Sequence, residues 1–388
     1  MFLLRPLALC LFFITLASPL YASDANPDAK PSLVPGYSMG TVRALFDQME
    51  KTGLGHNSIP AIDTPQFLSV SDASLSMDDN EIVFIVTFPD GTIRIYPQRI
   101  MVWHEVVNDT LPDPHASALK SPTEATTSDA SGRRYTITYS PLSGAVVAFR
   151  SLAGSFPSSF STTGELLNAN SILFDRISYT NWSQLLGIAF DGPLTGRRLE
   201  RIPVLWATWK GVKTRYMGKA EVLSRATAMK RPYGRDPYGA YHDPTSYYNN
   251  TTISNTLAFF DKRLHPKTQI LGIEFESMFA ALQKNRVKKE HVVNFTMGIT
   301  PMVALYDEEL DAVRVFDRRP DGKRHAEPLT FALFEGNFID KESNSIWTAE
   351  GTGTYGKYRE KQLEPIYTID CMWMTWAAFH RGSPIYPE

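Results

Sequence analysis

The stretch TYSPLSGAVVAF, residues 138–149, contains the local pattern from which the fold can be predicted. Aromatic and β-branched residues flank Pro141 and Gly144, which predicts a strand, a tight turn and a second strand. Ser140 and Ser143 have two residues between them, which is the C-x-x-C spacing with oxygen in place of sulfur. A hydroxyl is neither a thiolate nor a soft metal ligand at neutral pH, so this turn lacks thiol chemistry.

The same strand pattern recurs on both sides of this stretch. EIVFIVTF and TIRIYP are separated by a Pro-Asp-Gly turn signal, which predicts a hairpin at residues 81–96. Many short strand-like segments follow, and longer helical spacing occurs only at residues 206–216, 275–289 and 371–380. The predicted fold class is therefore α+β and predominantly β.

Two distant segments resemble each other. FDRISYTNWSQ begins at Phe174 and IDKESNSIWTA begins at Ile339, so that Trp182 corresponds to Trp347 at an offset of about 165 residues. We interpret this as an internal duplication that gives two related β-rich halves, each closing on a short amphipathic helix. The predicted organisation is a signal peptide at 1–22, a leader and short helix at 23–58, a first half at 59–230, an aromatic and charged connecting loop at 231–267, and a second half at 268–388.

The N-terminus has the features of a secretory signal peptide. Arg5 precedes an apolar run at residues 7–16, and Ala22 stands before Ser23. The run is short for a membrane span of roughly 20 residues, so a retained anchor is the weaker alternative. We expect cleavage near Ala22, no transmembrane span in the mature chain, and a periplasmic or secreted location. Removal of Cys10 would leave Cys371 alone, which excludes an intramolecular disulfide.

The charge balance limits the possible partners. The chain has 39 basic and 41 acidic residues and no basic run, so we expect no nucleic-acid partner. The possible partners that remain are an unidentified small ligand and another protein. The sequence indicates no cofactor.

The segment WHEVVND, residues 103–109, places several polar groups at a predicted helix end. His104 and Glu105 begin an H-E-x-x-H pattern, but Asn108 occupies the place of the second His, so no zinc site is predicted. His104 and Glu105 are candidate catalytic residues, and Asn108 and Asp109 are candidate ligand-binding residues. Alternatively, these groups hydrogen-bond to the local backbone.

Three further stretches contain candidate residues. Ser140 and Ser143 are candidate nucleophiles for which His104 would be the base, although no G-x-S-x-G motif surrounds them. Tyr139 and Gln184 are candidate ligand-binding residues, as are Arg235 and Asp236 in the loop RPYGRDPYGAYHD. The alternatives are ordinary turn chemistry for the serines and an Arg235–Asp236 ion pair in the loop.

Taken together, these stretches resemble the bacterial and archaeal family called domain of unknown function 3179 (DUF3179). The similarity is seen in IPAID, YPQRIMVWHEVVND, TYSPLSGAVVAF, YGRDPYGAY and WMTWAAF, and it covers roughly residues 59–386. The resemblance implies no established activity. It does imply a C-P-L-C-G turn in many members, where this chain has serines at 140 and 143.

Three functional interpretations follow. The first is an exported binding or accessory module with a site in the first half. The second is a hydrolase that works without thiols through His104, Glu105 and Ser140. The third is a metal-handling protein derived from a C-x-x-C site that Ser140 and Ser143 have replaced; no metal ligand is predicted in this chain, and whether it is an enzyme stays open.

Overall fold

The computed structural model describes residues 39–111, 133–227, 229–253, 255–320, 322 and 326–387. The predicted signal peptide, residues 1–22, and residues 23–38 of the predicted leader and short helix lie outside the described residues. In the described chain, strands far outnumber helices, which confirms the predicted α+β, predominantly β class. None of the described helices combines the length and the apolar composition that are needed to cross a membrane.

The first stretch of the fold begins with a short helix and continues as a series of β-hairpins. Its elements are α1 (Met39–Phe46), β1 (Phe67–Ser69), α2 (Val70–Ala73), β2 (Ile82–Thr87), β3 (Ile93–Pro97), α3 (Gln98–His104), β4 (Val106–Thr110), β5 (Arg134–Ser140), β6 (Ala145–Arg150), β7 (Leu152–Ala153), β8 (Phe156–Pro157), β9 (Phe160–Leu167), β10 (Asn170–Asp175), β11 (Asn181–Ser183), β12 (Ala189–Asp191), β13 (Arg201–Ile202), β14 (Leu205–Thr208), α4 (Trp209–Tyr216) and β15 (Glu221–Leu223). The predicted hairpins at 81–96 and 138–149 are β2–β3 and β5–β6.

The second stretch follows a long segment without regular secondary structure in its described part. Its elements are β16 (Gln269–Phe275), β17 (Met278–Gln283), α5 (Lys284–Glu290), β18 (Val292–Met297), β19 (Thr300–Asp307), β20 (Ala312–Pro320), β21 (Phe331–Phe334), β22 (Asn337–Asp340), β23 (Ile346–Trp347), β24 (Gly353–Tyr355), β25 (Leu363–Pro365), β26 (Thr368–Met372), α6 (Trp373–Phe379) and β27 (Ile385–Tyr386). The helix predicted at 275–289 is wrong in its first part, where MFAALQ forms β17 because it pairs with β16 and β27.

The sheets of the two stretches have matching strand orders. The orders β15-β3-β2-β14, β13-β6-β5-β4 and β12-β11-β10-β9 in the first stretch match β27-β17-β16-β26, β25-β20-β19-β18 and β24-β23-β22-β21 in the second. In both stretches the short strand after the closing helix pairs in parallel, β15 with β3 and β27 with β17, whereas the other named pairs are antiparallel.

Each stretch also contacts the closing helix of the other through the backbone. The Thr208 N–H, at the start of α4, donates to Leu310 O in the β19–β20 turn at 3.0 Å. The Met372 N–H, at the start of α6, donates to Ser143 O in the β5–β6 turn at 2.7 Å. These two contacts hold each closing helix to a hairpin turn of the opposite stretch.

One of the hydrophobic clusters of the described chain is built from both stretches. Phe149, Phe160 and Trp182 belong to the same buried cluster as Trp373 and Trp376. All seven residues of α6 are buried, so the prediction of an amphipathic closing helix is wrong for the second stretch. This helix lies inside the molecule, where it packs against β16: a Cβ at Gly272 would lie 2.1 Å from the Trp376 ring.

Candidate functional site

The turn between β5 and β6 is the centre of a buried polar network. Ser140 ends β5 and pairs with Ala145, and the Ser143 N–H donates to Ser140 O at 3.2 Å to close the turn. Gly144 completes it with a φ of +59°, a conformation that residues with a side chain rarely adopt. Both serines are fully buried. Their hydroxyls therefore point into the protein rather than into solvent.

Ser140 is linked to Glu105 through Ser171. The Ser171 N–H donates to Ser140 Oγ at 3.0 Å, and the two Oγ atoms are also 3.0 Å apart. Ser171 Oγ donates to Glu105 Oε2 at 2.6 Å. Burial raises the pKa of Glu105 to about 7, an effect that the Ser171 hydrogen bond partly offsets. Three side chains thus form a continuous chain that ends on a carboxyl group able to gain or lose a proton near neutral pH.

Ser143 is linked to Gln184 through Asn170. Asn170 Nδ2 contacts Ser143 Oγ at 3.0 Å and Gln184 Oε1 at 2.7 Å. Gln184 Nε2 in turn donates to Thr138 Oγ1 at 2.9 Å. We call Glu105, Thr138, Ser140, Ser143, Asn170, Ser171 and Gln184 the turn cluster; each is at least nine-tenths buried. It contains four of the residues predicted from the sequence, namely Glu105, Ser140, Ser143 and Gln184.

Residues 233–248 cover this turn; we call them the tyrosine segment. The Tyr247 hydroxyl donates to Leu142 O at 2.6 Å, and the Tyr241 and Tyr139 hydroxyls share a hydrogen bond of 2.7 Å. The Tyr241 ring stacks on Tyr248 with centroids 3.8 Å apart. Burial raises the pKa of Tyr238 to about 12, and the nearby Glu105 carboxylate adds to this rise. The segment has turns but no strand in its described residues, so side-chain contacts hold it in place.

Asp236 fixes the tyrosine segment to helix α3. Gln98 Nε2 donates to Asp236 Oδ2 at 2.7 Å, and the Tyr248 hydroxyl donates to the same oxygen at 2.8 Å. Burial raises the pKa of Asp236. The Tyr139 hydroxyl lies 3.4 Å from Gln98 Nε2, so this predicted residue joins the turn to the α3 contact.

A cleft of about 540 Å³ opens beside the turn cluster; we call it the axial cleft. It lies between α3 and the tyrosine segment on one side and β16 and α5 on the other. Its lining includes Gln98, Trp206, Asp236, Tyr241, Gln269 and Lys284. Gln98 and Lys284, which both line it, are the first residues of α3 and α5.

The second stretch supplies two residues of the axial cleft that sequence reasoning missed. Lys284 forms a buried ion pair with Asp370, whose pKa is raised by burial. Gln269 has both amide atoms buried with no hydrogen-bond partner in the described chain. No local pattern marks either residue: Gln269 lies on β16, which pairs with β26, and Lys284 begins α5 and contacts β26 through Asp370.

A comparison with known protein families assigns the chain to one of them. The model of a family described as a protein of unknown function, DUF3179, matches residues 56–118 and 125–383. The chain is a DUF3179 protein. The resemblance seen in the sequence is thereby confirmed. Searches of curated proteins and of solved structures found no match.

Six predicted residues of this DUF3179 protein lie outside the turn cluster: Tyr139 and Asp236, described above, and His104, Arg235, Asn108 and Asp109. His104 has Nδ1 2.8 Å from Pro60 O and Nε2 2.7 Å from the Tyr233 hydroxyl, and burial lowers its pKa. Both ring nitrogens are thus engaged, and neither contacts Ser140. Arg235 has an exposed side chain, and its carbonyl accepts a hydrogen bond from Trp103 Nε1 at 3.1 Å.

The other two, Asn108 and Asp109, hold neighbouring strands together. Asn108 Nδ2 donates to Phe160 O at 3.0 Å and Asn108 Oδ1 accepts from the Phe160 N–H at 2.9 Å. Asn294 makes the same two contacts with Phe331 in the second stretch of this DUF3179 protein. Asp109 Oδ2 accepts the Tyr96 and Tyr135 hydroxyls at 2.6 Å each. Both residues thus join segments that are distant in the chain, rather than bonding only to the local backbone.

The described residues of this DUF3179 protein contain no group of three or more His, Cys, Asp or Glu side chains that could hold a metal ion. The buried Cys371 is a free cysteine, and burial raises the pKa of its thiol well above the usual value. At the turn, Ser140 and Ser143 present hydroxyls to Ser171 and Asn170. The arrangement offers hydrogen bonding and proton transfer rather than thiolate chemistry.

Proposed function

We propose that this protein is an exported binding module for a small polar ligand, and that its site is the axial cleft. One observation carries the proposal: polar side chains converge on the cleft, and two of them, Gln98 and Lys284, are each fixed by a carboxylate. Gln98 is held by Asp236, and Lys284 is held by Asp370. Small-molecule sites are clefts of roughly 300–1,000 Å³ with a few well-fixed polar groups, and the 540 Å³ cleft fits that description.

The sequence predicted a site in the first half, and the proposed site also includes residues of the second stretch. The first stretch and the tyrosine segment contribute Gln98, Asp236 and Tyr241, whereas the second stretch contributes Gln269 and Lys284. Ligand sites often lie where two structural units meet, because loops and side chains from both can converge there. The cleft is such a place.

The N-terminal sequence supports the proposal of export. Arg5, the apolar run at 7–16 and Ala22 before Ser23 form a signal-peptide pattern. Cys371 is buried and free, so the fold needs no disulfide between cysteines of the mature chain. We place the mature protein in the periplasm or outside the cell.

The matching strand orders support the proposal of an internal duplication. Trp182 Nε1 donates to Asp175 Oδ2 at 3.1 Å, and Trp347 Nε1 donates to Asp340 Oδ2 at 3.0 Å. Superposing residues 81–218 on 268–382 should therefore align these pairs. Sequence spacing predicts that Trp209 corresponds to Trp376. In the fold, however, Trp209 is the first residue of α4 and Trp373 is the first residue of α6, so position in the helix matches Trp209 with Trp373.

The binding proposal is tested with a cleft-filling variant. Asn285 is exposed and lines the cleft, whereas the next residue on α5, Arg286, is exposed and does not line it. Purified mature protein is screened by thermal shift against L-amino acids, monosaccharides, nucleotides and short-chain carboxylates. We expect at least one ligand to stabilise the wild type and Arg286→Trp, and Asn285→Trp to lose that response. Equal responses of both variants, or no ligand in any class, would contradict the proposal.

A second candidate function is a hydrolase that uses Ser140 without a thiol or a histidine. The observation that favours it is the chain from Ser140 through Ser171 to Glu105, with Oγ–Oγ and Oγ–Oε2 distances of 3.0 and 2.6 Å. In this candidate Glu105 replaces His104 as the base, because both nitrogens of His104 are engaged elsewhere. The covered turn requires the tyrosine segment to move aside before a substrate can reach Ser140.

A fluorophosphonate probe tests the hydrolase candidate. Attack by Ser140 Oγ forms an O–P bond and breaks the P–F bond, while the hydroxyl proton passes to Ser171 and the Ser171 proton passes to Glu105. Labelling should be lost in Ser140→Ala, should fall in Ser171→Ala, and should persist in the control Ser143→Ala. An unlabelled wild type rejects this candidate and leaves the binding proposal unaffected.

A further inference from the structure

The inner end of the axial cleft contains an amide side chain that bonds to nothing in the described chain. Both Oε1 and Nε2 of Gln269 are buried, and neither has a partner there. A buried polar atom without a partner destabilises a protein by about 1–3 kcal/mol. Since both atoms are unpaired, the amide needs one hydrogen-bond acceptor and one donor even if the positions of its oxygen and nitrogen are exchanged. A ligand group that satisfies Gln269 must offer a hydrogen-bond acceptor and a donor side by side.

Lys284 presents further donors near this amide. Gln269 is opposite Met372 and Leu271 is opposite Asp370 in the β16–β26 pair, so Gln269 and Asp370 point to the same face of the sheet. Lys284 reaches that face through its ion pair with Asp370, its single hydrogen-bond acceptor in the described residues. An ammonium group has three N–H donors, so two remain for a ligand.

The lysine and arginine groups that line the cleft are each paired with a carboxylate. Lys284 pairs with Asp370, Lys288 pairs with Asp311, and Arg99 pairs with Glu81. Two further carboxylates, Asp78 and Asp236, also line it, so the cleft presents acidic groups as well as the free donors of Lys284. A ligand that carries both signs finds a partner for each.

Access to Gln269 depends on the tyrosine segment. A Cβ built on Gly144 would lie 3.0 Å from Gln269 Nε2 and 3.4 Å from the Tyr241 hydroxyl, so both groups face the bare Cα of Gly144. Tyr241 thus lies beside the amide at the inner end. Because its segment has no strand pairing in the described residues, Tyr241 can move without breaking a β-ladder.

On the basis of the proposed binding function, we infer that the ligand of the axial cleft is a small zwitterion of the α-amino-acid type. Its carboxylate accepts hydrogen bonds from Lys284 Nζ and from the Gln269 amide N–H. Its ammonium group donates to the Gln269 amide oxygen. A simple anion would leave that oxygen unpaired, and a simple cation would leave the amide N–H unpaired.

The test compares matched ligands on the mature protein by isothermal titration calorimetry. An L-amino acid that stabilises the protein in a thermal-shift screen is compared with its deaminated acid and its decarboxylated amine. Each analogue lacks one charged group, and we expect each to bind at least tenfold more weakly. Gln269→Leu should weaken amino-acid binding at least tenfold and should not lower Tm, because it removes two unpaired polar atoms. The exposed Gln66→Leu is the control, for which we expect wild-type affinity.

Three results would overturn the inference. They are the absence of binding by any amino acid, equal binding of the deaminated acid or the amine, and full affinity in Gln269→Leu. Cleft binding of a monosaccharide or nucleotide instead, blocked by Asn285→Trp, would reject the zwitterion and leave the binding function standing. If no compound of any class binds, both proposals fall.

Discussion

Replacing Glu105 by Gln should stabilise the protein in a pH-dependent way. Glu105 is buried, and its pKa is raised from 4.5 to about 7 because burial disfavours the carboxylate. The folded chain therefore holds a proton that the unfolded chain has already lost, and the free energy of unfolding falls as pH rises through this interval. Because a tenfold change in an equilibrium constant corresponds to about 1.4 kcal/mol, a pKa rise of this size amounts to about 3 kcal/mol in total.

Most of this difference should appear between pH 5 and pH 8. Over that interval the wild type should lose roughly 2.5 kcal/mol relative to Glu105→Gln, since the neutral amide does not titrate. The amide oxygen can still accept the Ser171 hydroxyl that Glu105 accepts at 2.6 Å. Urea unfolding followed by tryptophan fluorescence at both pH values measures the change. Glu364→Gln is the control, because Glu364 is exposed on β25.

The result that would refute this reasoning is a difference between wild type and Glu105→Gln that is the same at pH 5 and pH 8. In that case, ionisation of Glu105 would not be coupled to folding. A pH-dependent difference of equal size in Glu364→Gln would equally show that the effect does not arise from burial at the turn cluster.

Three further predictions concern other parts of the chain. Asn108→Ala should lower the free energy of unfolding by about 2 kcal/mol or more, because it leaves a buried backbone N–H and carbonyl unpaired; Asn294→Ala should lower it by less, because Asn294 is exposed and water can replace its contacts, and a larger loss at Asn294 than at Asn108 would contradict this reasoning. Ser140→Cys with Ser143→Cys should bind a soft metal or form a disulfide, as measured by mass spectrometry and thiol titration, while the wild type does neither; two free thiols without metal would mean that the turn is purely structural. N-terminal sequencing should find a mature chain that begins near Ser23 in the soluble periplasmic or extracellular fraction, and an intact N-terminus in a membrane fraction would contradict export.

Local sequence signals predicted the hairpins because strand and turn residues there agree with the final structure. Residues 81–96 and 138–149 form β2–β3 and β5–β6 as expected. The helix predicted at 275–289 failed because its first part has a helical apolar pattern but pairs as a central strand. Tertiary pairing outweighs local propensity in such segments.

The candidate site could be predicted only in part. Glu105, Ser140, Ser143 and Gln184 are evident from the sequence and lie in one network, yet the residues that join them, Asn170 and Ser171, have no local signal. Their role arises because β10 packs beside the β5–β6 turn, a contact between segments about 30 residues apart. His104, by contrast, is adjacent to Glu105 in the chain but does not join the network, because its ring bonds to Pro60 and Tyr233.

The contacts between the hairpin turns and the closing helices of the opposite stretches are made by backbone atoms, so they do not depend on which side chains stand at the turns. Ser143 and Leu310 have unlike side chains, one a hydroxyl and one an isobutyl group, yet the carbonyl of each accepts the N–H that begins the opposite closing helix. Because the acceptor belongs to the backbone, an exchange of the side chain leaves this bond intact. The side chains at one turn can therefore differ between proteins with this fold while the backbone contacts between the two stretches are kept. Cysteine in place of serine at residue 143 would keep the carbonyl that accepts the Met372 N–H.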